Sequence, residues 1–393
     1  MEPNTRILII YSTFGEGHVQ AANAIKQQFI SQGIQQIYML DLMAEAHPYW
    51  NAVTRYCYLT SSALCPSLYG LSYNWSNRLE PDRMFNRWLH SFGKRKLREV
   101  IRRVQPDAVI HTFPYLAAEQ LGLEMASPLP TFTVITDYVL HSRWVHPNTK
   151  HYFVATESLK CELIGAGVNG KRISVTGIPI RAAFENSFQQ EDLFGKYKLD
   201  PSKKYVLIVA GAFGVLAHVR KLAAAILEDT DYDLILVCGR NQRLANRMAA
   251  QYGSHSRIHI FGYVNQLEEL MGLSSCMLTK AGGITLTEAL SMALPVIVYR
   301  PLPGQEKGNA DRLSEAGAIQ IADHVREVTN RLNQLQQPYH LQRMLHAMKS
   351  LYKSEAARSV ASEVLQFTYS YAHGNQAYPT LSERKAIQTH GYP

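Results

Sequence analysis

Short apolar segments alternate with helical segments along most of this 393-residue chain, in two successive series. Segments in which several apolar residues follow one another are typical of strands that a parallel sheet buries on both faces. The first series lies at residues 6–11, 36–40, 107–111, 131–136, 151–154 and 173–175, and the second at residues 206–210, 233–238, 257–261, 276–279 and 296–299. The sequence therefore predicts an α/β protein with two Rossmann-like, doubly wound domains that face each other across a cleft.

A polar stretch without a strand pattern separates the two series and sets the domain boundaries. We predict an N-terminal domain over residues 1–183, a linker over residues 184–204 and a C-terminal domain over residues 205–353. A last helical segment follows at residues 354–372. The polar segment 373–393 contains Pro and Gly and is predicted to be a flexible tail.

The composition argues against several classes of protein. Hydrophobic residues make up 46% of the chain, and no apolar run approaches the roughly 18 residues that a membrane-spanning helix needs. The apolar patch at residues 7–11 is too short for a signal peptide. The five cysteines form no CxxC pair, so we expect a cytoplasmic protein with neither a zinc site nor a disulfide framework.

A basic, aromatic segment accounts for part of the formal net charge of +8. Arg87, Lys94, Arg95 and Lys96 stand among apolar residues such as Trp88 that are three or four positions apart, which predicts amphipathic helix with a cationic face. Such a face suits an anionic membrane surface. The alternative is ordinary helices that pack on the sheet and leave their cations solvated. No nucleic-acid-binding signature accompanies the segment, so nucleic acid is not an expected partner.

A glycine turn after the first strand leads into a helix that begins near His18. Gly15 and Gly17 allow the tight turn, and the turn places His18 at the mouth of the predicted cleft. The helix dipole disfavours an imidazolium there, so a neutral ring can accept a proton from a hydroxyl group. The alternative is a histidine that merely caps the helix. The turn lacks the third glycine of a dinucleotide-binding fingerprint.

Polar residues also follow the strand at residues 131–136. Asp137 ends this strand, and His141 and Trp144 follow it. We expect His141 and Trp144, together with Gly17, to face the acceptor or the membrane. Asp137 would point into the same cleft as His18, where it could orient that histidine, contact an acceptor or cap a turn. His111, at the end of another strand, is interpreted as a core histidine.

A second strand–turn–helix junction lies in the C-terminal half. Lys280 ends the strand, Gly282 and Gly283 form the turn, and Thr285 lies in the first helical turn. Glycines let a backbone approach a ligand closely, and the free N–H groups of a helix start favour an anion such as a diphosphate.

Side chains near this junction suit a sugar nucleotide. The carboxylate of Glu288, about one and a half helical turns in, could accept hydrogen bonds from both hydroxyls of a ribose. Gln305, Glu306 and Asn309 carry amide and acid groups that suit sugar hydroxyls. Phosphate, ribose and hexose together describe a nucleotide-sugar.

Two further features are weaker. Arg181, near the end of the first domain, could pair with a diphosphate, although a solvated linker arginine is the commoner case. Gly211, Phe213 and Gly214 form a small-residue turn that could approach phosphate or sugar, or could serve only for packing. No cluster of His, Cys or acidic residues suggests a metal site.

Taken together, these motifs resemble one family in order and spacing. They are the segments 15–18, 136–144, 177–181, 210–215, 282–288 and 303–309. The family is the processive diacylglycerol glucosyltransferase and monogalactosyldiacylglycerol synthase group of glycosyltransferase family 28. The resemblance covers roughly residues 5 to 370.

The resemblance implies a GT-B fold whose last helix, 354–372, packs back on the N-terminal domain, and a metal-independent, inverting mechanism without a cofactor. It implies a UDP-sugar donor, UDP-glucose or UDP-galactose, in the C-terminal domain. The N-terminal domain would reach diacylglycerol from an anionic membrane surface on the inner face of the cell membrane, where the protein is peripheral.

Matched to the family motifs, His18 is the base and Glu288 binds the ribose of UDP. Gln305 and Glu306 bind the hexose, and residues 282–285 bind the diphosphate. Two positions depart from the family pattern, since Phe213 stands where close relatives carry His and Ala281 where they carry Pro.

The predicted function is transfer of a hexose, glucose first, from a UDP-sugar to the free hydroxyl of 1,2-diacylglycerol, with further sugars added if the product stays bound. The alternatives are galactose transfer, a sterol or small-molecule acceptor, and a nucleotide-sugar sensor with little turnover.

Overall fold

Two all-parallel sheets of six strands each form the framework of the protein. The computed structural model describes residues 5–13, 15–49, 93–122, 129–186, 190–211 and 216–372. Four predicted site residues, Arg87, Trp88, Phe213 and Gly214, lie outside these ranges, as does the segment 373–393. The α/β architecture with two doubly wound sheets confirms the predicted fold class.

The first sheet has the strand order β2-β1-β3-β4-β5-β6. Its strands are β1 (Arg6–Tyr11), β2 (Gln36–Asp41), β3 (Ala108–His111), β4 (Thr131–Val134), β5 (His151–Val154) and β6 (Ile173–Val175). The helices around it, among the described residues, are α1 (Glu16–Ser31), α2 (Leu42–Ala46), α3 (Lys94–Val104), α4 (Ala117–Gly122) and α5 (Glu157–Gly165). Every residue of β3, β4 and β5 is buried, which explains why their sequences show no polar alternation.

The second sheet has the strand order β12-β11-β10-β7-β8-β9. Its strands are β7 (Tyr205–Val209), β8 (Asp233–Val237), β9 (Ile258–Phe261), β10 (Cys276–Thr279), β11 (Val296–Tyr299) and β12 (Gln320–Ala322). The sequence did not predict β12. It is a three-residue edge strand that begins with a polar glutamine and is only partly buried, so it lacks an apolar run.

The helices of the second half contribute side chains to the apolar core around this sheet, with one exception. They are α6 (Gln190–Tyr197), α7 (Val219–Asp229), α8 (Gln242–Tyr252), α9 (Leu267–Gly272), α10 (Gly283–Ser291), α11 (Gln305–Glu315), α12 (Val325–Leu335), α13 (Pro338–Leu351) and α14 (Ala356–Ala372). The exception is α14, because Val360, Ala361 and Val364 are buried in one apolar cluster with Ile7 of β1 and Phe29 of α1. The last helix therefore crosses back to the N-terminal lobe. We call the part built on the first sheet the N-terminal or first lobe, and the part built on the second sheet the second lobe.

The polar stretch between the lobes is more ordered than its composition indicates. Residues 190–197 form α6, although the sequence predicts an irregular linker there. Leu193, Phe194 and Tyr197 pack against the core of the second lobe, and the Lys196 ammonium lies 2.5 Å from a carboxylate oxygen of Glu269. Apolar residues at helical spacing thus outweigh the turn-forming residues around them.

Helix α3 confirms the predicted amphipathic pattern in the part of the basic segment that the structure describes. Gly93 caps its start in the left-handed conformation, at φ 73°. Its apolar face is buried against the first sheet through Leu97, Val100 and Val104. Among the described residues, no helix has the length and hydropathy needed to cross a membrane.

Candidate active site

The two lobes approach each other closely where helices α1 and α10 begin. Gly17, in the first turn of α1, faces Ile284, in the first turn of α10. A β-carbon added to Gly17 would lie only 3.1 Å from Cγ1 of Ile284. Across this gap, Glu16 forms an ion pair with Arg240, which follows β8. The unpaired N–H groups of two helix starts therefore face the same space.

His18 is held by the ends of two strands of the first sheet. Its Nδ1 lies 2.8 Å from the carbonyl oxygen of Thr112, directly after β3, and 3.0 Å from Oγ1 of Thr136, just beyond β4. A carbonyl oxygen can only accept, so we assign the ring proton to Nδ1. Nε2 then carries the lone pair, which is the tautomer that a general base needs.

The surroundings of His18 favour a neutral ring. Burial lowers the pKa of His18, while the charge of Asp137 and the hydrogen bond to Thr112 oppose this shift. The ring of Phe113 meets it edge to face at 4.9 Å between centroids, and Trp144 stands 6.5 Å away. At neutral pH the imidazole is therefore available to accept a proton.

Asp137 faces the opposite lobe rather than the ring of His18. Its Oδ1 accepts hydrogen bonds from the side-chain amides of Gln305 and of Asn309, the latter at 3.1 Å. Burial raises the pKa of Asp137, against the effect of His18 and of these two donors. The backbone and hydroxyl of two threonines, and not this carboxylate, therefore orient Nδ1 of His18.

Residues of α10 and α11 complete the contact between the lobes. Asn309 is fully buried, and its Oδ1 accepts from the backbone N–H of Tyr138 at 2.8 Å. The hydroxyls of Tyr138 and Thr287 lie 2.7 Å apart. The side-chain amide of Asn309 was predicted to face a sugar. Its N–H groups instead donate to Asp137 on the first lobe and to the carbonyl oxygen of Ala281.

Glu288 lies in α10, with only 6% of its surface exposed. Burial raises its pKa to about 8, a shift that Arg181 counteracts and Glu268 reinforces. No hydrogen bond to its carboxyl group comes from the residues described. A buried carboxyl group without donors is suited to accept the two hydroxyls of a ribose.

Arg181, predicted to bind a diphosphate, instead pairs with a carboxylate beside Glu288. Its guanidinium lies 2.7 Å from Oε2 of Glu268 in α9 and stacks on the ring of Phe184 at 4.9 Å. This pair joins the end of the first lobe to the second.

The turn from β10 into α10 places Lys280 next to α11. Its ammonium lies 2.6 Å from Oε1 of Glu306, and both side chains are partly exposed. Gly282 and Thr285 are also partly exposed at the start of α10, where Gly282 caps the helix without a side-chain hydrogen bond. These groups offer positive charge and free N–H groups to an anion. Gly211 adopts φ 83° after β7, a conformation that favours glycine.

Two residues predicted to contact acceptor or membrane are buried. Trp144 is 1% exposed and His141 is 7% exposed, and His141 Nδ1 accepts from the backbone N–H of Arg143 at 3.1 Å. Trp144 is thus too buried to contact a membrane surface, and its ring lies beside His18. An apolar indole behind a strand end packs more favourably in the core than in water.

The basic residues at the start of α3 lie on the outside of the first lobe. Lys94 and Lys96 are partly exposed and Arg95 is exposed, and Lys96 lies 3.7 Å from a carboxylate oxygen of Glu45.

The core interpretation of His111 agrees with its position. Its Nε2 lies 2.9 Å from Oε2 of Glu119, and both side chains are fully buried. The sequence analysis did not single out its neighbour Thr112, whose carbonyl oxygen holds His18. The position of Thr112, directly after a strand, was the one available signal.

Comparisons with known proteins agree with this geometry. Residues 18–180 match the family model of monogalactosyldiacylglycerol (MGDG) synthase, and residues 143–365 match that of UDP-N-acetylglucosamine 2-epimerase. Over 368 residues, the chain is 36% identical to the processive diacylglycerol beta-glucosyltransferase of Bacillus thuringiensis (strain Al Hakam), covering 93% of this chain and 95% of that protein. The protein of the same name from Bacillus cereus (strain AH187) is also 36% identical, covering 93% and 94%.

The chain belongs to the processive diacylglycerol beta-glucosyltransferase family. This finding confirms the family that the sequence motifs predicted. The protein is therefore a glycosyltransferase of glycolipid synthesis. The alternative of a sensor with little turnover has no comparable support.

Solved structures share the fold of this glycosyltransferase at low sequence identity. MurG of Acinetobacter baumannii has a TM-score of 0.58 at 16% identity, covering 92% of this chain and 99% of that chain. UDP-GlcNAc 2-epimerase of Neisseria meningitidis, bound to UDP-GlcNAc, has a TM-score of 0.60 at 15% identity, covering 92% and 100%. The S. aureus MnaA–UDP structure has a TM-score of 0.61 at 16% identity, covering 96% and 99%. These likenesses confirm the GT-B architecture.

Proposed function

We propose that this glycosyltransferase moves glucose from UDP-glucose to the free hydroxyl of 1,2-diacylglycerol, with inversion at the anomeric carbon and no required metal ion. The names of its relatives supply the sugar and the acceptor. Two proteins of the same fold were solved with UDP-GlcNAc or UDP, which supports a UDP-sugar as donor. The single observation that carries the mechanism is the hydrogen bond between His18 Nδ1 and the carbonyl of Thr112, because it frees Nε2.

The chemical step begins at the first lobe. The hydroxyl oxygen of diacylglycerol attacks the anomeric carbon as its proton moves to Nε2 of His18. The bond from the anomeric carbon to the diphosphate oxygen breaks on the opposite face, so UDP departs and the new glycosidic bond is β. The lowered pKa of His18 keeps the ring neutral before the reaction.

The second lobe holds the donor. The ribose hydroxyls donate to Glu288, and the diphosphate lies at the start of α10 near Gly282 and Thr285. Free N–H groups and the helix dipole there stabilise the charge that develops on UDP. Lys280 adds a cation, which turns from Glu306 toward the diphosphate while Glu306 and Gln305 accept the hexose hydroxyls.

Cations of α3 bring the first lobe to an anionic membrane. The apolar face of this helix is committed to the domain core, so the contribution of α3 is electrostatic. Arg95, Arg102 and Arg103 are exposed, and each basic side chain near an anionic surface contributes about 1 kcal/mol. A product that remains at the surface can accept a second sugar, which is the basis of processive transfer.

Lipid binding tests this surface directly. The double substitution Arg102→Gln and Arg103→Gln removes two charges at about 1 kcal/mol each, and it should weaken co-sedimentation with vesicles that contain 30 mol% anionic lipid by about thirtyfold at low salt. Lys203→Gln with Lys349→Gln removes the same charge from exposed positions elsewhere and serves as the matched control. Equal loss in both variants, or binding insensitive to 0.5 M salt, would count against docking through α3.

Transfer assays test the chemistry. Wild-type protein and His18→Ala receive labelled UDP-glucose or UDP-galactose with diacylglycerol in mixed micelles, and products are separated by thin-layer chromatography. We expect glucolipid from the wild type and a loss of about a thousandfold in His18→Ala, with UDP affinity retained. Full activity of His18→Ala would exclude this histidine as base.

Galactose transfer is the second candidate, because residues 18–180 match the MGDG synthase family model. A product formed only from UDP-galactose would establish it.

A further inference from the structure

The ring of His18 is oriented without a carboxylate. Histidines that act as bases are commonly held by an acid on the second nitrogen. Among the described residues, none of the acids forms a hydrogen bond with Nδ1 of His18. Asp137 bonds the amides of Gln305 and Asn309, and Glu119 pairs with His111 deeper in the lobe. Two oxygens without formal charge, from Thr112 and Thr136, occupy the place of the acid.

Thr136 contacts both halves of the site through two different atoms. Its side-chain oxygen lies 3.0 Å from Nδ1 of His18. Its backbone carbonyl abuts Gly283, the first residue of α10. A β-carbon on Gly283 would come within 3.0 Å of that oxygen and would lie 3.2 Å from the carbonyl carbon of Thr136. Thr136 itself is 3% exposed, so both contacts are fixed by packing.

We propose that Thr136 is a positioning residue, whose hydroxyl supports His18 during proton transfer and whose carbonyl sets the distance from this ring to the start of the donor helix. The proposal rests on the proposed role of His18 as the base. The first lobe delivers the proton acceptor and the second delivers the donor sugar. One residue that touches both lobes fixes their relative position at the point of reaction.

The effect of the hydroxyl follows from the charge that develops on the ring. In the neutral ring, the proton on Nδ1 is shared between two oxygen acceptors, at 2.8 and 3.0 Å. When Nε2 takes the proton from the acceptor alcohol, the imidazolium becomes a stronger donor, and both bonds strengthen. The hydroxyl therefore stabilises the charged ring and offsets part of the effect of burial.

Two substitutions separate this role from packing. Thr136→Val keeps the shape of the side chain and removes the oxygen, whereas Thr136→Ser keeps the oxygen and removes a methyl group. Thr176→Val is a matched control, because Thr176 is also a buried threonine just beyond a strand, and its hydroxyl donates to the carbonyl of Gly177 at 3.1 Å. UDP affinity and near-ultraviolet circular dichroism report whether each variant is folded.

For Thr136→Val we expect kcat to fall about tenfold, which corresponds to about 1.4 kcal/mol and the loss of one hydrogen bond to a charged group. The acid limb of the kcat profile should move to lower pH, because the charged ring has lost a stabilising partner. The Kd for UDP should stay within twofold. Thr136→Ser should recover most of kcat, and Thr176→Val should match the wild type.

The outcomes separate this inference from the proposed function. If His18→Ala is inactive and Thr136→Val has the kcat and pH profile of the wild type, the positioning role of Thr136 is overturned, whereas the assignment of His18 as the base still holds. Equal loss in Thr136→Val and Thr136→Ser would show a packing effect and would also overturn the role. If His18→Ala is fully active, both the role of His18 as the base and the positioning role of Thr136 are refuted.

Discussion

A single methyl group at Gly283 should separate the lobes without disturbing the lobe that carries it. Gly283 is the first residue of α10, and it lies against the carbonyl of Thr136 on the opposite lobe. In Gly283→Ala, the new β-carbon would approach that oxygen to less than 3.0 Å, whereas ordinary contacts begin at 3.4 Å. Backbone occupies both sides of the contact, so no side-chain rotation relieves the clash, and the lobes must move apart by on the order of 1 Å.

The magnitude follows from the contacts around Gly283. Asn309 bonds Asp137 at 3.1 Å and the N–H of Tyr138 at 2.8 Å, and the hydroxyl of Tyr138 lies 2.7 Å from that of Thr287. A shift on the order of 1 Å stretches these hydrogen bonds beyond useful length. Misplacement of this size can lower a rate by about a hundredfold, which is the loss of kcat/KM that we expect.

The assay combines initial rates of sugar transfer with UDP binding by calorimetry. UDP affinity should stay within about threefold, because the atoms that the added methyl group meets belong to Thr136 and Asp137 of the opposite lobe. Gly195→Ala, in helix α6, is the matched control, since a β-carbon there meets no atom within 4 Å. Transfer by Gly283→Ala within threefold of the wild type would refute the argument that this glycine sets the separation of the lobes.

Three further predictions concern charge and hydrogen bonding. Burial raises the pKa of Glu288 from 4.5 to about 8, so the folded protein binds more protons than the unfolded protein between these pH values. The free energy of unfolding therefore falls as pH rises, by up to about 1.4 kcal/mol per pH unit. In thermal unfolding at pH 6 and pH 8, Glu288→Gln should lose less stability between the two pH values than the wild type does, and an equal loss would contradict this prediction. Tyr138→Phe removes the hydroxyl contact to Thr287 and should lower the free energy of unfolding by about 1 kcal/mol in urea titrations, whereas no change would show that the bond has no net effect. Glu268→Gln unpairs Arg181 and should reduce stability by about 2 kcal/mol at neutral pH, measured in the same titrations against the wild type.

The sequence predicts the strand framework well because buried parallel strands leave a local signal. Five of the six strands of the second sheet appear as apolar runs between helices, whereas β12 is a short strand at the edge of the described sheet and is polar at its first residue. The linker prediction missed α6 because its apolar residues become informative only when the second lobe is present to cover them.

The candidate site was predictable in its residues but not in its connections. His18 and Asp137 stand out as polar residues at strand and helix ends, yet their partners are distant in sequence. Thr112 is 94 residues from His18, and Asn309 is 172 residues from Asp137. The residues next to them in sequence do not indicate that the Asp137 carboxylate bonds to the second lobe, or that the backbone carbonyl of Thr112 orients the imidazole of His18. The burial of Trp144 is likewise decided by the fold and not by neighbouring residues.

The most direct test of the central claim is a crystal structure of the protein with UDP bound. We expect the ribose hydroxyls to contact the carboxyl group of Glu288 and the diphosphate to lie at the start of α10, across the cleft from Nε2 of His18. A nucleotide bound away from Glu288, or a diphosphate on the far side of the second lobe from His18, would contradict it.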